Sequence, residues 1–558
     1  MCFQAKQKGL DIIMNKNDLK KIIAISAVTA AAAAATVIVV SQYRKTKEEM
    51  RQHELSVKNK TAYITGGGLS AFAAALYLVR DCGMDAARVH IFTNTKYNHG
   101  NGETGYICRR GKVINEKSSN LFELLCDIHS LDIPDLTVCD EILNIYSANP
   151  IMRNISFIDD EKNVIDISDI RLNKEHRSTI ISLMKENKEK LRNLPVNEAF
   201  PANFFGSYFW KLISATYGFS TESNTYEFIN AVTHMDDMLS GTLPADFDRQ
   251  EEIIEPLKAH LKDIGVDIRE NAKVTDIDFE DSSVSAIHFT DDGVRKSVYP
   301  DSDDICIFPT DEMAECASCG SFTESAPRIF PAPFKLWEKL AEKHPAFKNP
   351  TALFSDDDSN MSEEFTITLS NRMLPELIDK VTCGALGLDG VIVLDNSNWK
   401  MTICAVPPSH FKNQSEDIAI IWGTASRPDR DGEYCAKPMT SCSGAEILYE
   451  LVSCMNLDEA WEDIRETVIN VIPCHRRYDK SYLAPVASKL EIIPTGISNF
   501  AISGDFAENE SGIVFTEEYA VVTARKAAYR LMKNKRKIYQ SKPVSLRRIK
   551  RTLRNLVK

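Results

Sequence analysis

The run Gly66-Gly67-Gly68-Leu69-Ser70-Ala71 lies between Ala62-Tyr63-Ile64-Thr65, which reads as a short strand, and Leu69 to Arg80, which is apolar all round and reads as a buried helix. It fits G-x-G-x-x-A. Glycine at the first position allows the tight turn, and glycine at the second lets the backbone approach a pyrophosphate. A small third residue lets helix and strand pack closely, with the helix N-terminus facing the phosphates. Val89-His90-Ile91-Phe92 reads as a second strand, which completes a βαβ opening. A plain glycine turn is the alternative, and the placement between strand and helix favours a dinucleotide.

One expected part is missing. The second strand should end in Asp or Glu to hold a ribose, but here it runs into Thr93-Asn94. Loss of that charge-assisted bond predicts cofactor binding weaker by about 1–2 kcal/mol. Late in the chain, Gly504-Asp505-Phe506-Ala507-Glu508 follows a strand at Ala501–Ser503, and Thr516-Glu517-Glu518 opens a helix to about Lys533. Such a second strand-turn-helix suits a flavin better than a nicotinamide.

Further strands are expected at Val274–Phe279, Val284–Phe289, Ile305–Phe308, Gly390–Leu394 and Ile418–Ile421. The stretch 115–260 reads as mostly helical. The fold class is therefore α/β, with a two-part Rossmann-like FAD-binding lobe, a β-rich substrate lobe and a helical C-terminal part. The body spans 60–530, with the FAD lobe drawn from 60–135, 260–310 and 495–530.

Ile22 to Val40 is a charge-free run of nineteen residues after the basic segment 1–21 and before the linker 41–59. At 1.5 Å per residue it spans about 28 Å, enough for a bilayer core. It predicts a single membrane anchor with the body cytoplasmic; a signal peptide and a soluble Ala-rich helix are the alternatives. The tail 531–558 holds eleven Lys and Arg and no acid, although the whole chain carries −13. Leu546, Ile549, Leu553 and Leu556 recur there at helical spacing, which suits an anionic membrane surface. The acidic body argues against nucleic acid. The fourteen cysteines show only one close pair, Cys316-x-x-Cys319, so no metal site is expected and the thiols read as reduced core residues.

Longer strings carry a resemblance. They include Lys335-Leu336-Trp337-Glu338-Lys339-Leu340-Ala341, Ser397-Asn398-Trp399, His410-Phe411-Lys412-Asn413-Gln414 and Lys437-Pro438-Met439-Thr440-Ser441-Cys442-Ser443-Gly444. With Gly504-Asp505-Phe506-Ala507-Glu508 and Val514-Phe515-Thr516-Glu517-Glu518-Tyr519, they make residues 60–530 resemble the oleate hydratase (myosin-cross-reactive antigen) family. That resemblance implies FAD as a structural and electrostatic cofactor, and addition of water across the double bond of a long-chain unsaturated fatty acid. A carboxylate would handle the water and a Tyr would protonate the alkene. It also implies membrane docking by the tail and a possible homodimer. The cofactor residues it implies are Gly66, Gly67, Gly68, Ser70, Ala71, Thr93, Arg109, Gly111, Gly504, Asp505, Glu508 and Thr516.

The sequence departs from the family at its chemistry. The family's Arg-Gly-Gly-Arg-Glu corresponds to Arg109-Arg110-Gly111-Lys112-Val113, so its catalytic Glu is Val113. Glu116 would substitute only if the loop shifted. The family Tyr falls at Asn224 or Thr225, with Tyr226 beside it. Lys480 stands at the position of a substrate-facing Thr, and Val486 where a basic residue is usual. The catalytic candidates are thus Glu116 and Tyr226. Loss of a positioned acid or base typically slows a reaction about 10²–10⁴-fold, so an impaired FAD- or lipid-binding relative is the alternative function.

Overall fold

In the computed structural model, the described residues are 59–539 apart from 95–97, 115–117, 149–153, 167–171, 234–247, 312–316, 330–331, 351–360, 388–389, 409, 477–482, 484–488 and 510–511. The apolar run 22–40 and most of the basic tail lie outside them. Among the described residues no helix is long and apolar enough to cross a membrane.

A parallel five-stranded sheet forms the first layer. Its order is Phe500–Ser503, Ile305–Pro309, Ala62–Ile64, Val89–Phe92, Asp267–Arg269. The Ile305–Pro309 strand is apolar and buried throughout, as expected in a parallel sheet covered on both faces. The Gly68–Arg80 helix is buried from Gly68 to Leu78. It packs against this sheet and against the Glu517–Leu531 helix, in one apolar core. Alanines 71, 73, 74 and 75 on one helix and 520, 524, 527 and 528 on the other are all fully buried. Their small side chains permit close approach of two helices otherwise far apart in sequence.

Charges reinforce that seam. Arg525 reaches Asp81 at 3.2 Å and Glu123 at 3.3 Å, and Arg80 reaches Glu123 at 2.7 Å. Beside the sheet, Ala272–Glu280, Ser283–Asp291 and Val294–Val298 form a three-stranded antiparallel sheet.

The second large layer is an eight-stranded sheet. Its order is Ser318–Cys319, Val468–Arg476, Ser362–Leu369, Ala419–Ala425, Met401–Ala405, Gly390–Leu394, Asn154–Ile158, Val164–Asp166. Asn154–Ile158 pairs in parallel with Gly390–Leu394, so the stretch expected to be mostly helical also supplies an edge to this sheet. The Ser362–Leu369 strand explains how the layers join. Phe365, Ile367 and Leu369 face one apolar core with Trp399 and Leu448. Glu364, Thr366 and Thr368 point the other way by the two-residue period of a strand. Thr368 Oγ1 accepts from Tyr106 N at 2.9 Å, Thr366 Oγ1 from Cys108 N at 3.0 Å and Glu364 Oε2 from Arg110 N at 3.1 Å. Side chains therefore act as a substitute ladder and hold the 106–110 stretch against the sheet.

Candidate functional site

The glycine turn has the geometry that its sequence demands. Gly67 caps the first helix in an extended conformation, and Gly68 has φ +83°, in the left-handed region where glycine alone is unstrained. Gly66 is buried beside them, and Ala71 is fully buried against the sheet. Gly67, Gly68, Phe72, Thr93, His99 and Asn271 line a cavity of about 550 Å³. This volume falls within the range of about 300–1,000 Å³ typical of cofactor pockets. It opens at the C-terminal end of the Val89–Phe92 strand, where dinucleotides sit in such sheets. Gln250–Ile254 forms a π-helical turn running into the Glu255–Asp263 helix and brings Glu251, Glu255 and Lys258 to the same cavity. Such turns recur at functional sites.

Charge at the cavity is mixed. Glu270 lies 3.3 Å from Lys258 and also pairs with Lys262, which holds its carboxyl below the ordinary range. His99 Nδ1 stands 3.6 Å from Asp248. Burial opposes the imidazolium, but the Asp248 carboxylate outweighs it and raises the His99 pKa. His410 approaches the same carboxylate at 3.6 Å. Burial alone would raise Asp248; the two histidines overcome it and hold it at about 2.

Ser70 has a different role from the one expected of a cavity residue. Its N–H donates to Asp311 Oδ2 at 2.9 Å and its hydroxyl donates to Asp311 Oδ1. Asp311 is fully buried at the end of the Ile305–Pro309 strand, so a carboxylate of the chain takes one first-turn donor of the helix. Gly504 passes directly over this carboxylate's backbone. It has φ +89°, and a Cβ there would stand 2.5 Å from Asp311 N and 2.9 Å from Thr310 N.

Asp505 follows, buried, and both its carboxylate oxygens accept from Lys112 Nζ at 2.9 Å. Lys489 Nζ donates to Tyr519 Oη at 2.9 Å and lies 3.7 Å from Glu227. Burial lowers the Lys489 pKa and raises that of Tyr519 well above the usual phenol value. Thr516 caps the Glu517–Leu531 helix, accepting from Tyr519 N at 3.3 Å, and the buried Glu517 pairs closely with Arg249.

The stretch 109–113 bridges the two layers. Arg110 Nη2 donates to Thr424 Oγ1 at 3.0 Å, while Arg476 pairs with Glu364 at 2.7 Å. Arg109 and Gly111 are half-buried. Val113 is fully buried. Its N–H donates to Phe515 O at 2.8 Å and its carbonyl accepts from Glu517 N at 3.2 Å. Its register against the helix start is thus fixed by two backbone bonds.

The sequence-derived residues therefore fall into groups. Gly67, Gly68 and Thr93 share the cavity; Asp505 and Thr516 lie at the second turn. Glu508 stands exposed, its N–H donating to Leu490 O at 2.8 Å. Tyr226 lies in the first turn of the Thr225–Thr233 helix, with Arg192 4.8 Å above its ring. Asn224, its neighbour, is buried and bonded through Nδ2 to Leu483 O at 3.0 Å. Glu116, Lys480 and Val486 lie outside the described residues. Sequence reasoning missed Asp311, His99, Asp248, Lys112, Lys489 and Tyr519. Only Lys112 and Tyr519 lay within quoted motifs; the others carry no local signal.

A sequence model of the MCRA family matches residues 59–529. The chain is 28% identical over 515 residues to the oleate hydratase of Streptococcus pyogenes serotype M49 (strain NZ131), covering 87% of each protein. It is 25% identical over 532 residues to the linoleate hydratase of Lactiplantibacillus plantarum, covering 85% of this chain and 93% of that one. Among solved structures, an oxidoreductase from Methanosarcina mazei aligns over 84% of this chain and 99% of its own, with a TM-score of 0.47 and 14% identity. With the family match spanning nearly the whole described body, the chain belongs to the MCRA family.

Proposed function

We propose that the chain binds FAD and hydrates the double bond of a long-chain unsaturated fatty acid, as the names of its oleate and linoleate hydratase relatives suggest. The observation that carries the cofactor half is the cavity of about 550 Å³ lined by Gly67, Gly68 and Thr93 at the end of the Val89–Phe92 strand. The residues present fit the group. The glycine turn would take the pyrophosphate, and Thr93 and Asn271 the ribose. Gly504, Asp505 and the Thr516 helix start would hold the remainder. FAD, when bound, supplies an electrostatic frame rather than net electron transfer. The FAD lobe is assigned to 60–135, 260–310 and 495–530, with the substrate lobe drawn from the rest of 60–530. The apolar run 22–40 and the basic tail 531–558 give this reading its membrane side.

A specific observation favours a second reading, an impaired FAD- and lipid-binding relative. Position 113 is a buried valine whose backbone is locked to Phe515 and Glu517. A shift of the loop to bring Glu116 into that place would break both bonds. Removal of a positioned base slows hydration of an unactivated alkene by about 10²–10⁴-fold.

Titration of residues 45–558 with FAD, followed by flavin absorbance and fluorescence, tests the cofactor half. Saturable micromolar binding supports it; no binding at high FAD refutes it. Incubation of the loaded protein with oleate, read by mass spectrometry of the products, separates the two readings. A hydroxy acid gaining 18 mass units (one water) supports hydration. Oleate bound but recovered unchanged supports the impaired relative.

A further inference from the structure

The Cys316-x-x-Cys319 motif does not identify the thiol partner that the fold provides. Cys319 and Cys474 stand directly opposite on the antiparallel Ser318–Cys319 and Val468–Arg476 strands, 155 positions apart in sequence, with their sulfurs 3.0 Å apart. Gly320 N donates to Pro473 O, so the two cysteines form a non-hydrogen-bonded pair. That is the closer of the two antiparallel arrangements, with Cα atoms about 4.5 Å apart. The spacing falls inside the range that a disulfide needs, about 4.4–6.8 Å.

Both are free thiols; Cys319 is half-buried and Cys474 is 2% exposed. They pack with Ile107, Ala317 and Ile472, so the pair sits behind the stretch that leads into Arg109 and Val113. The two differ in reactivity. A hydrogen bond from Cys474 pulls the Cys319 pKa below the ordinary thiol value, helped by Arg109 and opposed by burial, Glu363 and Glu364. The same bond raises Cys474, together with burial.

We propose that Cys319 and Cys474 form an oxidisable dithiol, a modification site at which a hydroperoxide such as hydrogen peroxide closes a reversible disulfide. The Cys319 thiolate forms an S–O bond as the peroxide O–O bond breaks, giving a sulfenic acid and hydroxide, which takes up the proton lost from Cys319. The Cys474 sulfur then forms the S–S bond as the S–O bond breaks, and its thiol proton leaves with the departing hydroxide as water. Two thiols lose two electrons, and one peroxide becomes two waters. The bond would fasten the Ser318–Cys319 edge strand to the Val468–Arg476 strand beside Ile107. This inference does not depend on FAD or fatty acid.

The test uses the full chain, reduced and then exposed to one equivalent of hydrogen peroxide. Free thiols are counted in denaturant, and unreduced peptides are mapped by mass spectrometry. The expected result is loss of two of the fourteen thiols, a Cys319–Cys474 cross-linked peptide, and recovery of both thiols with dithiothreitol. Cys319→Ser should abolish that peptide; circular dichroism checks that the variant is folded. If it is not, the wild-type map still decides. Recovery of Cys319 and Cys474 as separately alkylated or overoxidised peptides overturns the proposal, as does linkage of Cys435 to Cys442 in their place.

Discussion

Replacement of Lys112 by Met tests how the two layers are joined. Lys112 Nζ donates to both oxygens of Asp505 at 2.9 Å, and the side chains are 16% and 1% exposed. At an effective dielectric constant near 20, a pair at that distance is worth roughly 6 kcal/mol before desolvation. Breaking a buried pair costs about 3–5 kcal/mol, because the remaining charge is left without its partner. The ammonium of Lys489 contacts the Asp505 carbonyl at 3.4 Å. Solvent at the rim of Lys112 places Lys112→Met at the low end, about 3 kcal/mol. Asp505→Asn should cost about 1.5 kcal/mol, since the lysine can turn to water. The double variant should fall about 2 kcal/mol short of the sum of the single losses. Urea unfolding of the four proteins, read as midpoints at constant slope, measures this. Additive losses, or a Lys112→Met midpoint equal to that of the parent, would show that Asp505 is solvated without Lys112 and would refute the reasoning.

Three further outcomes follow from the same geometry. Gly504→Ala places a Cβ 2.5 Å from Asp311 N at φ +89°; left-handed strain of about 1–2 kcal/mol plus the forced shift should lower stability by about 3 kcal/mol, checked by urea unfolding. Thr93→Asp restores a carboxylate at the ribose end of the cavity and should tighten FAD about tenfold in a fluorescence titration, a gain of roughly 1.4 kcal/mol; an unchanged affinity rejects the placement of the ribose. Burial, with Glu141 nearby, raises Glu252 to about 7 against the opposing Lys412. The folded state then binds the extra proton, so this group's contribution is present below its unfolded pKa and is lost as pH rises from about 4.5 through 7. Glu252→Gln should flatten that decline, as read from urea midpoints across the window; an identical slope would mean that Glu252 titrates normally.

Local chemistry determined the opening of the fold. The glycine turn, the strands around it and the late Gly504-Asp505 turn were legible because each demands particular residues over a few consecutive positions. The strand Val89–Phe92 has the bounds expected of it, and the final helix ends at Leu531 rather than near Lys533. The strands Ser362–Leu369, Met401–Ala405 and Val468–Arg476 were not among those expected. The first of these mixes two glutamates with apolar residues, and only its two different faces, one to a core and one to the 106–110 stretch, account for that pattern.

The site divides in the same way. Sequence alone showed a valine at position 113, where the family resemblance implies an acid, because that is a matter of identity. Only the tertiary structure showed that its register is locked by Phe515 and Glu517, that Asp311 takes the donors of Ser70, that Lys112 is spent on Asp505, and that Cys319 meets Cys474. Each joins residues more than one hundred and fifty positions apart. Pairings of that range leave no local period or spacing in a chain; they exist because folding lays distant strands side by side in one sheet and brings the 109–113 stretch against the start of the last helix.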